Sequence, residues 1–137
     1  MTTAQAAKKI LVIDDEPDVV TYLETLLQDH GYQTVSAGNG EEGLAKARSE
    51  KPDLICLDIT MPEKSGVRFY REVRGESELE SVPVVVVTGV TGYGGDPGAF
   101  ERFLGSRSHV PPPNAFVPKP IDRDQFLATI SQLLAGQ

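Results

Sequence analysis

A chain of 137 residues and 14.8 kDa has the length of one domain with a core of its own. Hydrophobic residues at 39% and charged residues at 24% exclude disordered, collagen-like and coiled-coil chains. A net charge of −7 argues against direct, phosphate-driven nucleic-acid binding, which needs clustered Lys and Arg, so any DNA contact would run through a partner. The longest apolar run, residues 82–87, is interrupted by Pro83 and falls short of a membrane span, and the start of the chain holds no signal-peptide stretch; the expected compartment is the cytoplasm. Cys56, the single cysteine, lies in an apolar run where a small buried hydrophobe is expected.

Residues 1–8 read as a poorly ordered lead-in to a domain over 9–135. Short apolar runs then alternate with amphipathic segments, the pattern of βαβ units on a parallel sheet. Ile10 to Ile13 is the first strand, and Val19, Val20, Leu23, Leu26 and Leu27 follow at helical spacing, with Gly31 as a left-handed stop. Thr34 to Ala37 is the second strand; the next helix carries Glu41 and Glu42 in its first turn and Leu44 and Ala47 on its apolar side. Leu54 to Leu57 is the third strand, ending at Asp58, and a helix with Val67, Phe69, Tyr70 and Val73 follows a loop holding Pro62 and Gly66. Val84 to Val87, uniformly β-branched, is expected at the sheet centre with both faces buried, and it ends at Thr88-Gly89.

The stretch from Val90 to Asn114 is rich in Gly and Pro; Asp96-Pro97 suggests a short helix near Ala99 to Leu104, and Pro111 to Pro113 an extended segment. A fifth strand, Ala115 to Val117, precedes Lys119-Pro120, and Phe126, Leu127, Ile130, Leu133 and Leu134 form a closing helix capped by Asp122.

In such a sheet the C-terminal strand ends share one edge, and ligands bind in the crevice outside them. Asp14, Asp15, Asp58, Thr88 and Lys119 all fall there. Like charges at about 4 Å repel by roughly 4 kcal/mol at an effective dielectric near 20, so three converging carboxylates call for a cation. Oxygen-only ligation with open positions for a phosphate is the preference of Mg²⁺. A carboxylate is also a nucleophile able to take a phosphoryl group as an acyl phosphate, with Lys119 and Thr88 placed to stabilise the transferring oxygens.

Asp14-Asp15-Glu16-Pro17, Leu57-Asp58-Ile59-Thr60-Met61-Pro62 with Gly66, Val87-Thr88-Gly89 and Phe116-Val117-Pro118-Lys119-Pro120 together resemble the receiver domain of two-component response regulators, of the CheY-like kind, over Lys8 to Leu134. The resemblance implies a flavodoxin-like (βα)₅ doubly wound α/β fold with strand order 2-1-3-4-5. It implies phosphorylation of Asp58 by a sensor histidine kinase or phosphotransfer protein, with Mg²⁺ held by Asp15, Asp58 and the main-chain carbonyl of Thr60 and, through water, by Asp14. Thr88 and Phe116 would be the switch pair, and Lys119 would pair with Asp58 or its phosphate. The signal would pass to a downstream protein by protein contacts. Such a chain catalyses only its own phosphorylation and dephosphorylation. With Leu134 near the end of the sequence, a stand-alone receiver is expected.

The chain departs from the family in its longer segment between Thr88 and Lys119, and in Phe116, which lacks the tyrosine hydroxyl of many members, so its switch would work by packing alone. Taken singly, Asp14 or Asp15 could cap a helix, Asp58 a turn, and Lys119 could be a solvated charge. His30 and His109 read as structural, Arg102 and Arg107 as a solvated face, and Phe100, Phe103 and Leu104 as the core side of a short helix. A receiver-like module that is never phosphorylated would lose acidic or Lys residues that this chain keeps. A haloacid-dehalogenase-like phosphohydrolase would need an Asp where Thr60 stands, and the glycine motifs of nucleotide binding do not follow a strand.

Overall fold

The structure, a computed structural model, describes residues 8–58, 65–88, 114–118 and 121–135. Five strands, β1 (Lys9–Ile13), β2 (Gln33–Ala37), β3 (Leu54–Asp58), β4 (Val84–Thr88) and β5 (Ala115–Pro118), pair in parallel in the order β2-β1-β3-β4-β5. The expected fold and strand order hold. Among the described residues there are four helices: α1 (Pro17–Asp29), α2 (Gly40–Glu50), α3 (Ser65–Arg74) and α4 (Arg123–Ala135). The short helix expected at Ala99 to Leu104, the Pro run, His109, Arg102 and Arg107 lie outside the described residues.

The pleat explains why the strands are apolar throughout. Leu11, Ile13, Ile55, Leu57, Val84 and Val86 point to one face and pack with Leu44, Ala47, Phe69, Tyr70 and Val73 of α2 and α3. Ile10, Val12, Leu54, Cys56, Val85 and Val117 point to the other and meet Leu23 and Leu27 of α1 and Phe126 and Ile130 of α4. β4 is buried on both faces as expected, but the middle position belongs to β3. After β2 at one edge the chain crosses back over β1, and β3, β4 and β5 then extend the sheet the other way.

Helix ends follow the local chemistry. The Gly31 amide donates to Gln28 O and the Tyr32 amide to Leu27 O, a Schellman stop that needs the left-handed φ of +90° at Gly31. His30 places Nδ1 3.0 Å from Leu26 O, the structural role read for it. Asn39 Oδ1 accepts from the Glu42 amide to start α2, and Asp122 Oδ1 accepts from the Gln125 amide to start α4. Between α3 and β4, a turn closed by Leu79 N–H to Glu76 O and Val82 N–H to Leu79 O buries Leu79 under the α2–α3 layer, a core residue the sequence reading did not pick out.

Candidate functional site

β1 and β3 are neighbours in the sheet, yet the chain leaves them in opposite directions, β1 toward β2 and β3 toward β4. That makes the gap between their C-terminal ends the switch-point crevice. Ile13 pairs with Leu57, so Asp14 is the next residue on one side and Asp58 the next on the other. Asp58 continues the face of Leu54 and Cys56, is the last residue of β3, and pairs with Val87 of β4. A side chain there is carried by a strand hydrogen-bonded on both sides. Asp14 and Asp58 are 2% and 3% exposed, whereas Asp15 is exposed.

Carboxylate oxygens of Asp14, Asp15 and Asp58 lie within 4.8 Å of one another. The backbone fixes the turn that gathers them. The Asp14 amide donates to Ala37 O of β2, Asp14 Oδ1 accepts from the Glu16 amide at 2.9 Å, and Pro17 opens α1. Of the two readings of Asp14, the capping one fails: the residue before α1 is Glu16, which makes no side-chain cap bond. Three unit charges at this spacing repel by about 3 to 4 kcal/mol per pair at an effective dielectric of 20, an electrostatic cost met elsewhere in the fold or by a cation.

Beneath the crevice, Cys56 is fully buried, and burial alone pushes its thiol up to about 12. It is packing and not a nucleophile, as expected. Thr88 ends β4 with its backbone in register with Pro118. Phe116 of β5 is half-buried against the α2–α3 layer. The side chain of Thr88, and Thr60 and Lys119 entirely, lie outside the described residues. The structure therefore brings together the three predicted carboxylates and places Phe116 one strand beyond β4.

One contributor to the site escaped the sequence reading. Gly43 of α2 sits against Ile13, the residue that precedes Asp14: a methyl group built on Gly43 would come 2.6 Å from Ile13 Cδ1. A glycine inside a helix that has otherwise good formers was the available signal.

Comparison with known proteins bears on this arrangement. Residues 10–97 match the family model described as response regulator receiver domain. The chain is 34% identical over 128 residues to protein PilH of Pseudomonas aeruginosa, covering 93% of this chain and 98% of PilH. It is 31% identical over 127 residues to the polar-differentiation response regulator DivK of Brucella anthropi, covering 93% and 96%. Its structure resembles that of the Vibrio cholerae chemotaxis protein CheY4, with a TM-score of 0.77, 26% identity and coverage of 93% and 99%. A sheet order, an acidic crevice and similarity along nearly the whole of two relatives all agree, and the chain belongs to the response regulator receiver domain family, the phosphorylatable modules of two-component signalling.

Proposed function

We propose that Asp58 is the phosphoryl acceptor of this receiver, that Asp14, Asp15 and Asp58 hold Mg²⁺, and that the donor is a phosphohistidine of a sensor kinase or phosphotransfer protein. The observation that carries the reading is the convergence of three carboxylates within 4.8 Å at the β1–β3 crevice, two of them almost fully buried. The donor set fits the metal. Clustered hard oxygen donors are the set Mg²⁺ prefers, and Asp15 and Asp58 would hold it directly and Asp14 through a water. When bound, the ion neutralises the carboxylates and the charge on the transferring oxygens.

Asp58 supplies the nucleophilic oxygen: its O–P bond forms as the donor's P–N bond breaks, and the imidazole leaves with a proton. Its place at the end of an inner strand holds that oxygen still, which is where positioning lowers the barrier. From the sequence motifs, the Thr88 hydroxyl donates to a phosphoryl oxygen, Lys119 pairs with Asp58 or its phosphate, and the Thr60 carbonyl completes the metal site. Thr88 and Phe116 then change position together, passing the signal to a downstream protein. In this reading the receiver unit spans 9–135, works in the cytoplasm, and performs no chemistry beyond its own phosphorylation and dephosphorylation. Among the described residues no helix is long and apolar enough to cross a membrane.

Intact-mass measurement after incubation with a small-molecule phosphodonor and Mg²⁺ tests the reading. A single phosphoryl adduct is expected on the wild-type chain and none on Asp58→Asn or in the presence of a chelator. An adduct that survives Asp58→Asn would overturn the assignment of the acceptor. No adduct on folded, Mg²⁺-binding wild type would favour an unphosphorylated binding module.

A further inference from the structure

At the edge of the sheet opposite the carboxylates, one side chain joins three parts of the chain: its own helix, the turn before β4 and the residue before β5. Arg74, the last residue of α3, donates from Nε to the Tyr70 hydroxyl at 3.1 Å, from one terminal nitrogen to Glu80 O and Val82 O at 2.9 and 2.7 Å, and from the other to Asn114 Oδ1 at 2.8 Å. Its guanidinium also lies 5.0 Å from the centre of the Tyr70 ring. Asn114 is the residue before β5. The same Oδ1 accepts from the Val84 amide at 3.0 Å, and the Asn114 amide donates to Val84 O at 3.0 Å. The Asn114 side chain and main chain thus grip the first residue of β4, and the Arg74 fork holds the amide oxygen in place.

This contact sits where β5 joins the sheet. Among the described residues β5 is an edge strand of four residues, paired on one side only, and it follows a long Gly- and Pro-rich stretch of sequence. Slipping a strand by one residue exchanges its two faces. Here a slip would carry Phe116 off the α2–α3 layer and Val117 off the α1–α4 layer, and would break the pairing of Pro118 with Thr88 at the end of β4.

We propose that Arg74 is a positioning residue for phosphoryl transfer: through Asn114 it fixes the register in which β5 enters the sheet, and so how Phe116 and Pro118 stand against Val86 and Thr88 of β4, the strand beside Asp58. This rests on the reading of Asp58 as acceptor. The metal ligands proposed among the described residues come from the β1 and β3 ends, so the clamp governs transfer and not metal affinity.

The experiment measures Mg²⁺ affinity by direct titration and the phosphorylation rate at saturating Mg²⁺ for wild type, Arg74→Met, Arg74→Lys and Asn114→Ala. Met keeps the aliphatic stem over Tyr70 while removing the fork, and a point-like ammonium cannot serve all four acceptors. Misplacement by about 1 Å can cost up to about a hundredfold in rate, so a fall of about tenfold or more is expected for Arg74→Met and Asn114→Ala, with Mg²⁺ affinity held within about twofold. Arg74→Lys should recover only part of the rate, and the Arg74→Met/Asn114→Ala pair should lose no more than either alone. Unchanged rates in the folded variants, or rate and Mg²⁺ affinity falling together, would overturn the proposal while leaving the wild-type adduct intact. A wild-type chain that takes no phosphoryl group would overturn the acceptor reading, and this proposal with it.

Discussion

Gly43→Ala measures how closely the site is supported from below. Gly43 lies in the first half of α2, and an added Cβ would stand 2.6 Å from Ile13 Cδ1, 3.2 Å from Ile13 Cγ1 and 3.3 Å from Phe69 Cε1. Carbon atoms rest at about 3.5–4.0 Å, so Ile13 must retreat by nearly 1 Å. Ile13 is 1% exposed and Phe69 fully buried, which leaves no open space for the retreat. Replacing Gly by Ala inside a helix gains about 1 kcal/mol of propensity, and overpacking a core costs about 1–3 kcal/mol. The net expectation is a loss of about 1 kcal/mol, a fall in Tm of about 4 °C for a domain of this size. Denaturant unfolding of Gly43→Ala beside Gly38→Ala is the assay, because a Cβ at Gly38 meets only the flexible Glu42 Oε1 at 3.6 Å and should be near neutral. Since Ile13 is bonded to Asp14, Gly43→Ala should also weaken Mg²⁺ binding several-fold. A variant as stable as wild type, or one that loses stability with Mg²⁺ affinity unchanged, would refute the reasoning.

Two further outcomes are expected. Gly31→Ala meets no atom within 4 Å but keeps a φ of +90°, so it should lose about 1–2 kcal/mol by backbone strain in denaturant melts while Mg²⁺ affinity stays at the wild-type value. The unfolded chain gives up the Cys56 thiol proton near pH 9, whereas the folded chain keeps it to about 12, so above pH 9 the unfolded state binds fewer protons and stability falls by about 1.4 kcal/mol per pH unit. The Tyr70 hydroxyl, raised by burial against the opposing Arg74 hydrogen bond, adds a second decline. Melts of wild type and Cys56→Ala across that range should therefore differ in slope, and parallel curves would show that the thiol is not the cause.

What the sequence exposed and what it hid divide by range. Each site carboxylate follows or ends a run of apolar residues, and the rule that parallel strands end at one edge makes Asp14, Asp15 and Asp58 neighbours on the strength of the sequence alone. β3 and β4 were legible because both their faces are covered, which demands an unbroken apolar run. β2 is the weaker pattern: as an edge strand it keeps Gln33 exposed and Thr34 to Ser36 half-buried. The contacts of Arg74 left no trace, since three of its four hydrogen bonds run to another segment and two end on backbone carbonyls, which every residue type possesses. Asn114 looked like the end of a loop, because nothing in its own neighbourhood says that its amide spans 30 residues to Val84.

The two edges of the sheet carry opposite burdens. At the C-terminal edge, function concentrates like charges, and the crowding opposes folding unless a cation is bound. At the N-terminal edge the polar groups are complementary. The Lys9 ammonium meets Glu50 at 3.0 Å, the Lys9 amide donates to Asp53 Oδ2 at 2.8 Å, Arg48 holds Glu76 in a two-toothed pair, and the Arg74 fork closes the end of the core. Such separation lets the acidic edge change charge state without loosening the strands that carry it. Among the described residues β5 is the shortest strand and stands at an edge of the sheet, so an anchor at its N-terminal end bears on all four of its residues. That is the position Arg74 and Asn114 occupy, and it is why a charge far from the carboxylates should govern transfer to Asp58 without touching the metal.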